Sequence, residues 1–136
     1  QVVSVGDEYS EVLLISDRDH AVPVQNLRNG VRAIAEGTGD FNRIRLRDIP
    51  VTMDIVAGDS IVTSGLGERF PKGYPVGQVS SVSVLEGSPF LEVEIRPESS
   101  LQTTGHMLLL FSGWESRVLS QRPPVQQTPS RFNGNQ

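Results

Sequence analysis

Apolar residues fall in short strips along this chain, and several strips alternate with polar residues. In Arg43-Ile44-Arg45-Leu46-Arg47 the two apolar side chains share one face and the three arginines share the other. That is the period of a half-buried strand. Leu91-Glu92-Val93-Glu94-Ile95-Arg96 repeats the pattern, apolar inside and charged outside. Two strips are continuous instead: Val12-Leu13-Leu14-Ile15 and Met107-Leu108-Leu109-Leu110-Phe111. Short apolar runs suit strands covered on both faces. Residues 11–16 and 106–111 are therefore expected as strands, the second central or covered. Residues 2–5, 21–27, 31–36, 60–63 and 76–85 complete the expected strands. No stretch holds the helical period over three turns.

Turn residues punctuate the strips. Gly6-Asp7, Gly37-Thr38-Gly39-Asp40, Val56-Ala57-Gly58-Asp59 and Glu86-Gly87-Ser88-Pro89 each end one strand before the next. Asn29-Gly30 is the sharpest hairpin signal, because both residues tolerate the positive φ of a type I′ turn. It joins residues 22–27 to 31–36. Pro23 cannot donate a ladder bond, which points to an edge strand. Residues 63–77 form a loop rich in glycine and proline, and residues 97–104 form another. Several short strands joined this way indicate a small barrel or sandwich. After Trp114 the character changes. Residues 116–136 have no acidic residue, many glutamines, and Pro123, Pro124 and Pro129. Such a segment buries too little to offset the entropy of ordering it, so residues 113–136 are expected as a disordered tail.

Composition supports this picture and narrows the chemistry. A length of 136 residues, 37% hydrophobic, allows one domain or two very small ones. Val, a stiff β-branched residue, favours pleated surfaces. The net charge of −4 argues against a nucleic-acid role, which needs a basic face. Lys72 is the sole lysine among the cations, and the rest are arginines suited to protein contacts. The absence of cysteine excludes thiol catalysis, disulfides and Cys-based zinc sites, and suits the cytosol and the periplasm alike. No run approaches the roughly 20 apolar residues of a spanning helix. The chain begins at Gln1, inside a strand-like segment, so it reads as a fragment whose anchor or signal could lie upstream.

Candidate catalytic groups are few. His20 lies near Asp17 and Asp19, and Ser64 sits in a glycine-flanked turn, so a trypsin-like hydrolase using Ser64, His20 and Asp17 or Asp19 is the alternative reading. Its signal is weak. Position 62 is Val62 where a nucleophile elbow has glycine, and His20 reads equally as an ordinary turn residue. His20 and His106 are too far apart, and the aspartates too scattered, for metal-ligand spacing, so no metal or cofactor is expected. Gly65-Leu66-Gly67-Glu68 lacks the lysine and the helix of a phosphate loop. Arg43, Arg45 and Arg47 could grip a carboxylate-rich partner; the favoured reading is a solvated outer face. Phe70 and Tyr74 stand in a stiff loop with Pro71 and Pro75. They either cap a barrel end or dock on a partner.

The segment Gly58-Asp-Ser-Ile-Val-Thr-Ser-Gly-Leu-Gly-Glu-Arg-Phe-Pro-Lys-Gly-Tyr-Pro-Val-Gly77 closely resembles the signature of the MreC family of bacterial rod shape-determining proteins. Val2-Val3-Ser4-Val5, the run from Val12 to Asp17, His20-Ala21-Val22-Pro23-Val24, Arg28-Asn29 and residues 107–111 fit the same family, so the resemblance covers residues 1 to about 112. It implies an all-β fold of small six-stranded barrels. Residues 1–18 would be the end strands of a first barrel, incomplete at the N-terminus, and 19–112 would be a second barrel. It also implies a non-catalytic scaffold on the periplasmic side of the inner membrane, anchored there by a segment absent from this sequence. The implied partners are the elongation penicillin-binding protein (a transpeptidase), MreD, RodA and MreB, with self-association. Phe70, Tyr74, Arg43, Arg45 and Arg47 are the expected partner-binding residues. Met107, Leu109 and Phe111 are expected in self-association, with the Arg43–Arg47 edge as a second candidate for it.

Overall fold

The computed structural model describes residues 1–111. β1 (Val2–Val5) and β2 (Ser10–Val12) pair antiparallel as a two-stranded sheet. Six further strands close into a barrel: β3 (Ala21–Asn26), β4 (Arg32–Gly37), β5 (Ile44–Pro50), β6 (Ser60–Thr63), β7 (Pro75–Val84) and β8 (Phe90–Pro97). Their order around the barrel is β3-β4-β5-β8-β7-β6, and every neighbouring pair is antiparallel. Closure leaves no whole strand at an edge. One short 3-10 turn, Leu66–Glu68, is the sole helical element among the described residues.

The alternating strips behave as their period requires. Ile44 and Leu46 of β5, and Val93 and Ile95 of β8, point into the barrel and are buried. Val22, Val24, Ala35, Ile61, Val76 and Val79 complete the interior from the other strands. Each fully buried Ile or Val contributes about 1.5–3 kcal/mol relative to exposure. Ile55, from the β5–β6 connection, joins the core, and Phe70 and Ile15 pack against it. Where β4 ends, the chain passes close to the segment before β3. A Cβ on Gly37 would lie 2.0 Å from the Asp17 carbonyl oxygen, so only glycine fits there.

Four expectations are corrected. The Asn29-Gly30 turn is not type I′. Gly30 has φ 74°, and Asn29 is not among the residues with positive φ. A four-residue loop, 27–30, is closed by Gly30 N–H donating to the Asn26 carbonyl (2.8 Å) and Asn26 N–H to the Val31 carbonyl (2.8 Å). The Asn29 side chain is spent elsewhere, accepting from Val31 N–H and donating to the Asp54 carbonyl. Second, Pro23 does not mark an edge strand, since β3 pairs on both sides. Pro23 sits just past the last β3–β6 pair, Val24↔Thr63, and its carbonyl accepts from Ser64 N–H (3.0 Å). A residue's N and C=O point to the same side of an antiparallel strand, so the missing donor faces the end of that ladder.

Third, β2 stops at Val12. Leu13 still exchanges hydrogen bonds with Gln1 (2.7 Å each way), but residues 14 and 15 leave the ladder because the Asp17 carboxylate accepts from Leu14 N–H (2.6 Å) and Asp17 N–H donates to the Leu14 carbonyl (3.1 Å), which turns the chain. Fourth, residues 107–111 form no strand and are all exposed, Leu108 by 93%. A strand needs a ladder partner, and these residues have none among those described. The expected tail, 113–136, lies outside the described residues.

Candidate interaction surfaces

Thr63, the last residue of β6, organises the loop that follows it. Thr63 N–H donates to the Tyr74 carbonyl (2.8 Å), and Gly73 N–H donates to the Thr63 carbonyl (2.8 Å). The Thr63 hydroxyl donates to the Pro71 carbonyl and accepts from Tyr74 N–H (2.9 Å). One side chain thus satisfies two backbone groups that prolines and a tight turn leave outside any ladder. Gly65 takes φ 75°, and a Cβ there would lie 2.8 Å from the Lys72 Cβ, so the two arms of the loop touch at this point. The loop is held by its own backbone bonds, and it presents two aromatics differently. Phe70 is half-buried, packs on the barrel core, and lies 5.7 Å from the His20 ring at 49°. Tyr74 is 45% exposed and faces outward. One aromatic packs on the barrel core and the other is exposed.

His20 closes a turn, its N–H donating to the Asp17 carbonyl (3.0 Å), and its side chain is buried, 6% exposed. Its Nδ1 lies 2.9 Å from the Leu14 carbonyl, and its Nε2 is buried with no partner among the described residues. Burial lowers its pKa from the ordinary value. The Leu14 carbonyl and Asp17 act the other way, while the Gln1 ammonium and Arg69 add to the lowering. A catalytic triad needs a carboxylate on Nδ1 and a serine on Nε2. Here Leu14 occupies Nδ1, Asp17 holds Leu14 N–H, and Ser64 Oγ accepts from Leu66 N–H (3.3 Å). Neither Asp19 nor Ser64 bonds the ring. No hydrogen bond joins Ser64, His20 and either aspartate, so the triad of the hydrolase alternative is not assembled here.

The arginine row is exposed as expected, and it is already paired. Arg45 and Arg47 both reach Glu36 on β4 (3.1 and 2.6 Å), and Arg43 reaches Glu94 on β8 and Asp40 (each 3.3 Å). Desolvation raises the Glu36 carboxyl, and the hydrogen bonds from Arg45 and Arg47 outweigh it, so its pKa falls below the usual range. Exposed pairs of this kind contribute only about 0–1 kcal/mol each. A carboxylate-rich partner would have to compete with Glu36 and Glu94. Beside the row, an open cleft of about 350 Å3 lies between β5 and the β7–β8 turn, lined by Arg45, Arg47, Leu85, Phe90 and Leu91 among others.

One cluster escaped the reading of the sequence. The Asp59 side chain, 5% exposed, accepts from Asn26 Nδ2 (2.6 Å), Arg28 Nε (2.8 Å) and Nη2 (2.9 Å), and Val56 N–H (3.1 Å). Arg28 also grips the Asp54 carboxylate (2.7 Å). The arginine hydrogen bond is the main cause that brings the Asp59 pKa down to about 2. The cluster ties the β3–β4 turn to the β5–β6 connection. Asp59 was legible only as a turn residue, because its partner stands 31 positions away. Met107, Leu109 and Phe111 are exposed and have no ladder partner among the described residues. Among the described residues no three His, Asp or Glu side chains converge as a metal site.

Comparison with known proteins places the whole described chain. The family model "Rod shape-determining protein MreC, barrel core" matches residues 1–111. The cell shape-determining proteins MreC of Haemophilus influenzae and Escherichia coli are each 47% identical over 111 residues, 82% of this chain. The chain spans about a third of the length of those curated relatives, 32% and 30%. The crystal structure of MreC from Pseudomonas aeruginosa superposes with a TM-score of 0.78 at 47% identity, covering 82% of this chain and 72% of that one. A complex between a penicillin-binding protein (PBP2) and MreC from Helicobacter pylori contains a chain of the same fold, TM-score 0.52 at 24% identity, covering 70% of this chain and 54% of that one.

Proposed function

The chain belongs to the MreC family, and from that premise we propose that it is the barrel part of a non-catalytic scaffold that maintains rod shape by binding the transpeptidase of cell-wall elongation and by self-association. The observation that carries this reading is the match of the barrel core across all described residues. The Helicobacter pylori protein of similar fold, seen together with a penicillin-binding protein, supports the transpeptidase as partner. In this reading the barrel lies on the periplasmic side of the inner membrane, and MreD, RodA and MreB belong to the same assembly. Residues 1–18 are then end strands of a first small barrel, and 19–112 the second.

A scaffold of this kind acts through equilibrium. It favours the assembly-competent state of its partner only as far as it binds that state more tightly, each tenfold preference being about 1.4 kcal/mol. Tyr74 is the natural anchor, an exposed aromatic on a loop held rigid by Thr63. The arginine row is the second candidate surface. A pull-down with the elongation transpeptidase tests the assignment. Tyr74→Ala should reduce capture at least about tenfold, as loss of an interface anchor does, with an unchanged thermal midpoint. Phe70→Ala should instead lower the thermal midpoint, because Phe70 packs on the core. Undiminished capture by folded Tyr74→Ala would remove this loop from the interface.

A further inference from the structure

β7 outruns its neighbour on one side. β6 pairs with it only from Pro75 to Gln78, and Val79 completes the contact through bonds with Gly58 N–H (2.8 Å) and the Asp59 carbonyl (2.9 Å). Beyond that point β7 continues to Val84 paired with β8 alone, from Ser81↔Glu94 to Val84↔Leu91. In an antiparallel strand alternate residues direct their N–H and C=O to opposite sides. Residues 80–84 therefore carry backbone groups along their far edge that have no backbone partner among the described residues. Ser80, Ser81, Ser83 and Val84 are exposed there.

Free edges of this length are normally guarded by lysine, proline or charge. This edge has none of those guards. The ten residues of β7 contain no charged side chain, and their one proline, Pro75, stands at the other end. The neighbouring strands differ: β5 carries Arg45, Arg47 and Asp48, and β8 carries Glu92, Glu94 and Arg96. A bulge between Val79 and Ser81 separates the part of β7 that meets β6 from the free part, and the pairing with β8 is regular after it.

We propose that this edge joins two copies of the chain, β7 to β7 and antiparallel about a twofold axis, giving a continuous four-stranded sheet β8-β7-β7-β8. The proposal rests on the self-association reading above and names its surface. The neutrality of Ser-Ser-Val-Ser-Val is what selects a second copy. A twofold antiparallel pair sets a segment against its own reverse, so a charge at the centre of the segment would face its like, and this segment has none. A strongly charged partner strand would find no complementary charge here. Val84 and Leu85, both exposed, flank the edge and would be covered by the pairing. Four or five ladder positions per copy make an interface well below the roughly 1,000 Å2 of a stable complex. The pairing is therefore weak by itself and shows at high concentration.

Sedimentation of the full 136-residue chain against concentration tests it, compared with the double variant S81K/S83K. Both serines are exposed, so the variant should keep the wild-type thermal midpoint. The wild type should move from monomer towards dimer as concentration rises, and the variant should need at least about ten times more protein, since edge lysines oppose strand pairing. Amide hydrogen exchange within residues 80–84 of the wild type should slow at the concentrations where dimer forms. A wild type that stays monomeric at millimolar concentration would overturn both this inference and the self-association reading for this chain. A variant that dimerises as well as the wild type, or a dimer with no slowed exchange at residues 80–84, would overturn the edge assignment and leave self-association standing elsewhere.

Discussion

His20 shows how a single side chain couples the loop to the barrel. Its ring is buried against Phe70 with Nδ1 on the Leu14 carbonyl, and Nε2 meets no acceptor among the described residues. A proton on Nε2 would be buried without a partner, so the folded state prefers the neutral ring. Burial accordingly sets its folded pKa below the ordinary value of about 6.5. The unfolded chain then takes up the proton first as pH falls. Stability is complete above about pH 6.5 and declines below it, towards the folded pKa. Thermal midpoints at pH 7, 6 and 5 should fall for the wild type by more than for His20→Gln, which has no such group to titrate. Equal declines would show that the ring titrates alike in both states. None of this was legible beforehand, because the position of His20 beside Phe70 depends on residues 50 positions apart meeting across a barrel end.

At the scale of elements, the alternating strips were the readable part. Ile44 and Leu46, and Val93 and Ile95, became the inner faces of β5 and β8 because a period of two already states which side chains face the core. The continuous strips misled. An apolar run says that a segment wants cover, and does not say whether a ladder partner exists, so residues 14 and 15 turned away at Asp17 and residues 107–111 formed no strand. Asn29-Gly30 marked the right turn and the wrong geometry, since side-chain bonds to Asp54 decided the loop. The same limit holds for glycines. Gly37 closes a strand and also lets Asp17 approach, which only the structure reveals. Gly37→Ala should destabilise the chain by about 1–3 kcal/mol, the cost of forcing a side chain into backbone that cannot retreat. Urea unfolding checks it. A loss under half a kcal/mol would mean that the segment before β3 yields easily.

For the whole molecule, fold and family followed from the sequence more directly than any surface did. The stretch from Gly58 to Gly77 identified the relatives because it combines turn glycines, prolines and aromatics in a fixed order, and the barrel shows why. Thr63 ties both arms of the loop, Phe70 packs on the core, and a Cβ on Gly77 would lie 2.2 Å from the Arg96 carbonyl oxygen, so only glycine fits there. Those are folding roles. Surfaces leave weaker marks: the period of two places Arg43, Arg45 and Arg47 outside without showing that Glu36 and Glu94 pair them, and the exposure of Tyr74 and the bare β7 edge follow no periodic rule. The account stands on the barrel acting by contact with the elongation transpeptidase. Calorimetric titration of this chain into the periplasmic part of that transpeptidase measures the contact without other components. The account predicts saturable one-to-one binding with a dissociation constant on the order of micromolar, about −8 kcal/mol. No heat and no saturation with both proteins folded at about 100 µM would contradict it.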